Sequence, residues 1–329
     1  MDCIARVPRC YYPTLSLVSK YFRSLVASPE LYARRSLLGC AEYCFYLGFS
    51  DRSSSYMSWY TFRSTDKCLA RIQSIPCVPI HSICVVVGSN IYMIGGVDNR
   101  KATPDVSVIS CVSHKCEILP RFRRNVAGRL PIGFFDRKIY LIDYYDDHDP
   151  RIMVFDTESR TWGLGGRSKV EAEDRVVGCV GMSGKIYMTT TKNGYICHLN
   201  EGEGGAWETD EIMNSEQWID PCILDDMLYS YDEYKNSLCG FDLKLRCWKK
   251  VKGLKGLPQN CFCTRITCCG SKLVVFFQTE FDLSSGKTEI WCAEIAVEKH
   301  AGELLGNVER CDMVLVHRFD LIECLAVKI

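Results

Sequence analysis

The sequence predicts an all-β fold, a six-bladed β-propeller behind a short helical opening. Three observations carry that reading: a turn-and-strand unit that returns every 42–48 residues, an aromatic closer behind it, and strands left over at both ends of the repeats. Small sheets that cannot bury both faces alone become stable when neighbours stack and the ring closes.

The repeating pieces are Gly88-Ser-Asn-Ile-Tyr92, Asp136-Arg-Lys-Ile-Tyr140, Ser183-Gly-Lys-Ile-Tyr187, Asp225-Asp-Met-Leu-Tyr229 and Gly270-Ser-Lys-Leu-Val274. Their closers are Cys116, Trp162, Trp207, Trp248 and Trp291. Tyr140 to Trp162, Tyr187 to Trp207 and Tyr229 to Trp248 are 22, 20 and 19 residues apart, a regularity that a β-sandwich has no reason to keep. Further strands fall at Met313–Phe319 and Leu321–Val327, and at Glu42–Phe49 and Ser58–Phe62. Joined, the segments 42–62 and 313–327 make a sixth blade from both termini, which removes free edges without a disulfide. Seven blades is the alternative if Cys68–Ser82 holds another strand pair.

Residues 1–38 read as helix. Pro13 suits a first helical turn, and Leu15, Val18, Phe22, Leu25 and Val26 recur at three- and four-residue spacings. Ser28-Pro29 ends that helix and opens another, with Leu31, Tyr32, Leu37 and Leu38. Six basic residues against Asp2 and Glu30 give the segment a net charge of +4. So short a unit must pack on the sheets of 39–329, on a partner, or on both.

Composition narrows the function classes. At 47% apolar and 24% charged residues the chain is an ordinary globular one. Forty basic and forty acidic residues cancel, so no global charge favours nucleic acid or an anionic membrane. The uncharged run Ile72–Val97 is broken by Pro76 and Pro79 and fits no membrane helix. Asp2, Arg6 and Arg9 leave no room for a signal-peptide core, so an intracellular protein, cytoplasmic or nuclear, is expected. The 21 cysteines include the cluster Cys261, Cys263, Cys268 and Cys269, which lacks paired C-x2-C spacing; free buried thiols are expected. The six histidines form no metal-binding or nucleophile motif, so neither a catalytic residue, a metal nor a cofactor is anticipated. Asp143–Asp149 reads as a solvated acidic loop, and Gly163-Leu-Gly-Gly-Arg-Ser as a turn between blades. Eleven acids and no lysine or arginine lie between Glu201 and Tyr234, followed by seven basic residues and one acid from Lys235 to Lys255. Such separation either steers a charged partner or neutralises itself locally.

With both parts in view, the chain resembles the plant F-box/kelch-repeat family. Asp2-Cys-Ile-Ala-Arg-Val-Pro-Arg-Cys-Tyr-Tyr-Pro-Thr-Leu-Ser-Leu-Val-Ser-Lys-Tyr-Phe-Arg-Ser-Leu-Val-Ala-Ser-Pro-Glu-Leu-Tyr32 is similar to the body of its F-box, truncated at the N-terminus, without the usual Leu-Pro opening. Ser89-Asn-Ile-Tyr-Met-Ile-Gly-Gly96 resembles a kelch strand with its double glycine, Gly95 and Gly96, and Trp162, Trp207, Trp248 and Trp291 take the kelch tryptophan position. The resemblance implies a non-catalytic, substrate-recruiting subunit of a cullin–RING (SCF-type) ubiquitin ligase. Its F-box would bind a Skp-type adaptor, and through it a cullin, while its propeller binds an unknown target protein; nucleic acid and membrane are not expected partners. Ile4 and Val7, then Pro13, Leu15, Leu17, Val18, Phe22 and Leu25, are the adaptor-binding residues it implies. The alternative is a propeller scaffold that no longer binds the adaptor because the F-box is incomplete.

Overall fold

The computed structural model describes the chain except residues 52–53, 64–67, 129, 144–150, 171–172, 200–204, 217 and 283–285. Four helices open it: α1 (Asp2–Ala5), α2 (Tyr12–Val18), α3 (Lys20–Val26) and α4 (Pro29–Leu37). The single helix expected from Pro13 onward is broken at Ser19, whose backbone is extended (φ −162°, ψ 166°) and whose Oγ accepts from Phe22 N at 3.2 Å. Serine favours this N-cap role over a helix interior, so the apolar spacing could not carry one helix through it. Ser28 caps α4 in the same way, with Pro29 at its first position.

The rest is antiparallel sheet built on tight hairpins. Every repeating turn is a two-residue loop: Val87 pairs Asn90, Phe135 pairs Lys138, Met182 pairs Lys185, Leu224 pairs Met227 and Cys269 pairs Lys272. Asp136-Arg137, Ser183-Gly184 and Asp225-Asp226 all have positive φ at both central residues, the primed turn whose twist matches the flanking strands. Tyr92, Tyr140, Tyr187 and Tyr229 each lie on the strand after such a turn. Gly95 and Gly96 are required sterically as well as conformationally. A Cβ on Gly95 would lie 2.2 Å from Val126 O, and one on Gly96 2.5 Å from Ser82 Oγ.

The two ends of the chain pair with each other. Tyr43–Ser50 pairs antiparallel with Asp320–Lys328, from Tyr43↔Lys328 to Ser50↔Asp320, in a five-stranded sheet with Tyr56–Arg63, Cys68–Arg71 and Val78–Pro79. Residues 313–317, assigned to this sheet from sequence, instead end the long strand Glu303–His317.

The six separate blades are not found. Four sheets of blade size, one of five strands and three of four, stand beside one continuous eight-stranded sheet and a two-stranded ribbon. The cause is the hairpin of Lys287–His300 and Glu303–His317, which overshoots its inner neighbour; the last pair on that side is Lys272↔Ala296. Its projecting end adds Leu304 and Leu305 in parallel to Val251 and Lys252, fusing what the repeat period separates. No glycine or proline interrupts Thr288–His300, so nothing local stops the strand at blade length.

Trp162 and Trp207 occupy edge strands, as does Cys116, while Trp248 lies on Cys247–Lys252, paired on both sides within the large sheet; the three indoles are half-buried. Trp162 Nε1 donates to Pro120 O (3.0 Å) and Trp248 Nε1 to Ile212 O (3.1 Å), tying each of these strands to the chain leaving the preceding sheet. Trp291 is not their equivalent. It lies within Lys287–His300, inside the large sheet, and donates to Glu289. The fully buried indoles are Trp59 and Trp218, which lie outside the repeat.

Candidate functional site

Two surfaces concentrate chemistry. One is the helical segment, which shares a core with the sheets: Ala5, Tyr12, Leu31 and Tyr32 pack with Tyr46, Met57, Trp59, Ile91 and Val327. Two arginines fix the joint. Arg35 is buried; its Nη1 donates to Ala5 O, Val7 O and Tyr12 Oη, its Nη2 to Cys40 O, and it pairs with Glu42 at 3.0 Å. Arg9 donates through Nη2 to Cys111 O (2.6 Å) and through its backbone N to Glu42. Beneath it Tyr46 Oη donates to Cys111 O and lies 3.0 Å from His114 Nε2. Burial, then the Arg9 charge, lowers His114 to a pKa of about 4.

This docking divides the eight residues implied as adaptor-binding. Ile4, Val7 and Leu15 pack against the shared core, and Leu25 is 8% exposed. Pro13, Leu17 and Val18 are exposed, Leu17 by 78%, and Phe22 is half-buried. Tyr21, absent from the sequence reading, is 70% exposed and meets Phe22 edge-on with ring centroids 5.8 Å apart. Its position four residues after Leu17 was the available signal. Arg9, Arg35 and Glu42 carried none, because an isolated arginine does not announce the carbonyls it will meet.

The second surface is a central cavity of about 630 Å3. Its wall is formed by Ile83–Val87, Ile132–Phe135, Val176–Met182, Asp320–Lys328 and both edge strands of the large sheet, Cys222–Leu224 and Cys261–Cys269. The lining is largely aliphatic with five thiols, Cys84, Cys179, Cys222, Cys268 and Cys324. Burial pushes Cys84, Cys222 and Cys324 well above the ordinary thiol range, so they stay protonated. Among the described residues no group of three or more His, Cys, Asp or Glu is placed to hold a metal ion.

The expected acidic loop needs correcting at its first residue; residues 144–149 lie outside the described residues. Asp143 is not solvated. Fully buried, it accepts from Arg123 and Arg124, which more than offset the desolvation and hold its carboxyl below the usual range. The Gly163–Ser168 stretch is no turn either, because Thr161–Arg167 is an outer strand. The two charge blocks meet in part, through Lys235–Glu216, Lys244–Asp226 and Arg246–Asp210 at 2.7–3.0 Å. Among the described residues no helix is long and apolar enough to cross a membrane.

Comparison with known proteins adds to this geometry. The model of the FKB95, Kelch-repeats domain matches residues 50–315, and that of the F-box domain matches residues 1–34. F-box/kelch-repeat protein At4g38940 of Arabidopsis thaliana is 41% identical over 99% of this chain and 92% of its own length. F-box/kelch-repeat protein At4g39240 of the same plant is 32% identical over 100% of this chain and 89% of its own. Among solved structures, that of YjhT aligns with a TM-score of 0.53 at 13% identity, covering 80% of this chain and 97% of that one; the likeness concerns fold alone.

Proposed function

Because the chain belongs to the plant F-box/kelch-repeat family, we propose that it is a non-catalytic, substrate-recruiting subunit of a cullin–RING (SCF-type) ubiquitin ligase, acting in the cytoplasm or nucleus. The helical segment holds a Skp-type adaptor and the sheets hold the target. One observation carries this reading: Leu17, Val18 and Tyr21 stay exposed on a segment whose other side is already packed on the sheets. Apolar side chains side by side on short helices gain little in water and much against a partner surface. Pro13, Leu17, Val18 and Phe22 are the contact set within the residues the family motif implies. Ile4, Val7, Leu15 and Leu25 support it from beneath.

The test is binding of the full chain to purified Skp adaptor, with Leu17→Asp and Val18→Asp as variants. Both side chains are exposed, so the melting temperature should not move. Adaptor affinity should fall at least about tenfold, the loss of roughly 1.4 kcal/mol. Leu25→Asp would be uninformative, since it strikes a buried position. If the wild type shows no association at tens of micromolar adaptor, the chain is a scaffold and the ligase role fails.

A further inference from the structure

The mouth of the central cavity opposite the helices has a composition of its own. The strand Asp320–Lys328 fixes the two ends. At one, Ile329 exchanges backbone hydrogen bonds with Glu42, the residue that accepts from Arg9 and pairs with Arg35. At the other, Ile322 O accepts from Arg265 Nε at 3.0 Å. Seven residues of extended chain separate these points by roughly 20 Å. Arg265 also pairs with Asp220 at 3.2 Å, and both line the cavity.

Three exposed apolar side chains lie beside the residues of this mouth. Tyr234, on the hairpin turn between Met227–Asp232 and Ser237–Asp242, is 100% exposed. Phe262 is the extra residue of a β-bulge, since Cys261 pairs Thr279 while Cys263 pairs Gln278, and the bulge turns its ring outward. A bulge that re-aims one aromatic side chain at the rim of a cavity is a feature of binding sites more than of packing. Ile219, beside Asp220, is also exposed. The turn that carries Tyr234 is held over this edge, because Glu233 accepts from Thr264 Oγ1 at 2.9 Å and Asn236 donates to Gln259 at 2.6 Å.

The charge around these side chains is acidic on balance: Asp220, Glu323, Glu233, Glu216 and Asp232 stand against Arg265 and Lys235. Arg265 is the one lysine or arginine among the described residues that line the cavity. Burial opposes its charge, yet Asp220, Cys263, Glu323 and Glu233 more than offset that. Its donors are committed to Ile322 O, Thr264 O and Asp220. On the adjoining turn Lys235 pairs with Asp232 and with Glu216 of the preceding segment. An anionic ligand would meet these carboxylates; a cationic one is drawn in.

We propose that this mouth docks a cationic segment of a target protein, in which lysine or arginine lies next to apolar side chains. The apolar residues would cover Tyr234, Phe262 and Ile219, and the cation would enter among Asp220, Glu233 and Glu323. The inference rests on the reading of the chain as a target-recruiting subunit.

Selection of a random twelve-residue phage-displayed peptide library on the immobilised full-length protein tests it, with a Tyr234→Ala/Phe262→Ala double variant as counter-target. Both substituted residues are exposed, and the variant's melting temperature and adaptor binding should match wild type. The expected result is enrichment of lysine or arginine beside aromatic or aliphatic residues on wild type alone. The best peptide should bind at least tenfold more weakly to the variant, and more weakly again as salt is raised from 50 to 300 mM, in line with a charge-steered contact. Enrichment of acidic peptides, equal enrichment on both proteins, or no enrichment overturns the proposal. Adaptor binding measured on the same preparations separates the readings: adaptor without peptide leaves the ligase role standing and removes this inference alone, whereas peptide without adaptor does the reverse.

Discussion

His114 shows how one residue can carry the joint between two parts of the molecule. Its ring lies beneath Arg9, beside Tyr46, where burial and a nearby positive charge both disfavour protonation. His317, packed against Phe49, Tyr60 and Phe319, is likewise lowered by burial to about 4. The unfolded chain takes up these protons near pH 6.5 and the folded chain near 4, so the stabilisation is complete above 6.5 and lost as pH falls toward 4. At pH 5 each histidine should cost on the order of 1–2 kcal/mol relative to pH 7. Denaturant titrations at pH 7 and pH 5 check this: His114→Gln should remove about half of the pH dependence. An unchanged slope would place the ring in solvent. Arg9 and Arg35 act differently, by donating to backbone carbonyls of the joint.

The decisive element is the hairpin formed by Lys287–His300 and Glu303–His317. Its projecting end places buried Leu304 against Val251, while Lys252–Glu303 and Lys299–Asp242, both at 2.6 Å, bracket the contact. Lys252–Glu303 is exposed and adds little, whereas Asp242 is buried, so its pair with Lys299 contributes beside the buried leucine. Replacing residues 297–306 by Asn-Gly would rejoin the paired residues Ala296 and Asn307 through a two-residue turn. The large sheet should then divide, and stability should fall by about 2–4 kcal/mol, as for loss of a buried leucine. Adaptor binding should persist, because the helices touch none of this hairpin's core. A melting temperature equal to wild type would mean that the fused pairing contributes nothing.

At the scale of the whole molecule, the two chain ends close the structure and seat the helices at once. Asp320–Lys328 lies between Tyr43–Ser50 on one side and the cavity on the other, with Val327 and Ile329 in the core shared with the helical segment. Deleting residues 320–329 should expose Phe45, Leu47 and Phe49 and leave that core open. We expect loss of cooperative unfolding, read as a broadened thermal transition and rapid proteolysis. A truncated chain melting within a degree or two of the full one would contradict the terminal closure. The same strand runs from the helical end to the cavity mouth, so the two proposed binding surfaces are held in fixed relation by one sheet.

The sequence by itself determined the local units. Primed two-residue turns are written in Asp136-Arg137, Ser183-Gly184 and Asp225-Asp226, the double glycine marks its own steric need, and serine and proline set the start of α4. The apolar residues 4–25 were legible as a helical surface, and residues 42–49 and 321–327 as strands that join. These features depend on a few neighbouring residues, so composition and spacing report them. Tertiary structure alone decided which of those apolar residues face outward, because the break at Ser19 and the anchors Arg9 and Arg35 set the orientation of each helix. It also decided that the last repeats share one sheet: strand length past Ala296 is set by whether a distant edge, Val251–Lys252, offers its unpaired backbone groups. Buried Asp143 and the acid-rimmed mouth depend on long-range contacts of the same kind. Backbone and charge satisfaction are settled between residues far apart in the chain, where no local pattern records the partner.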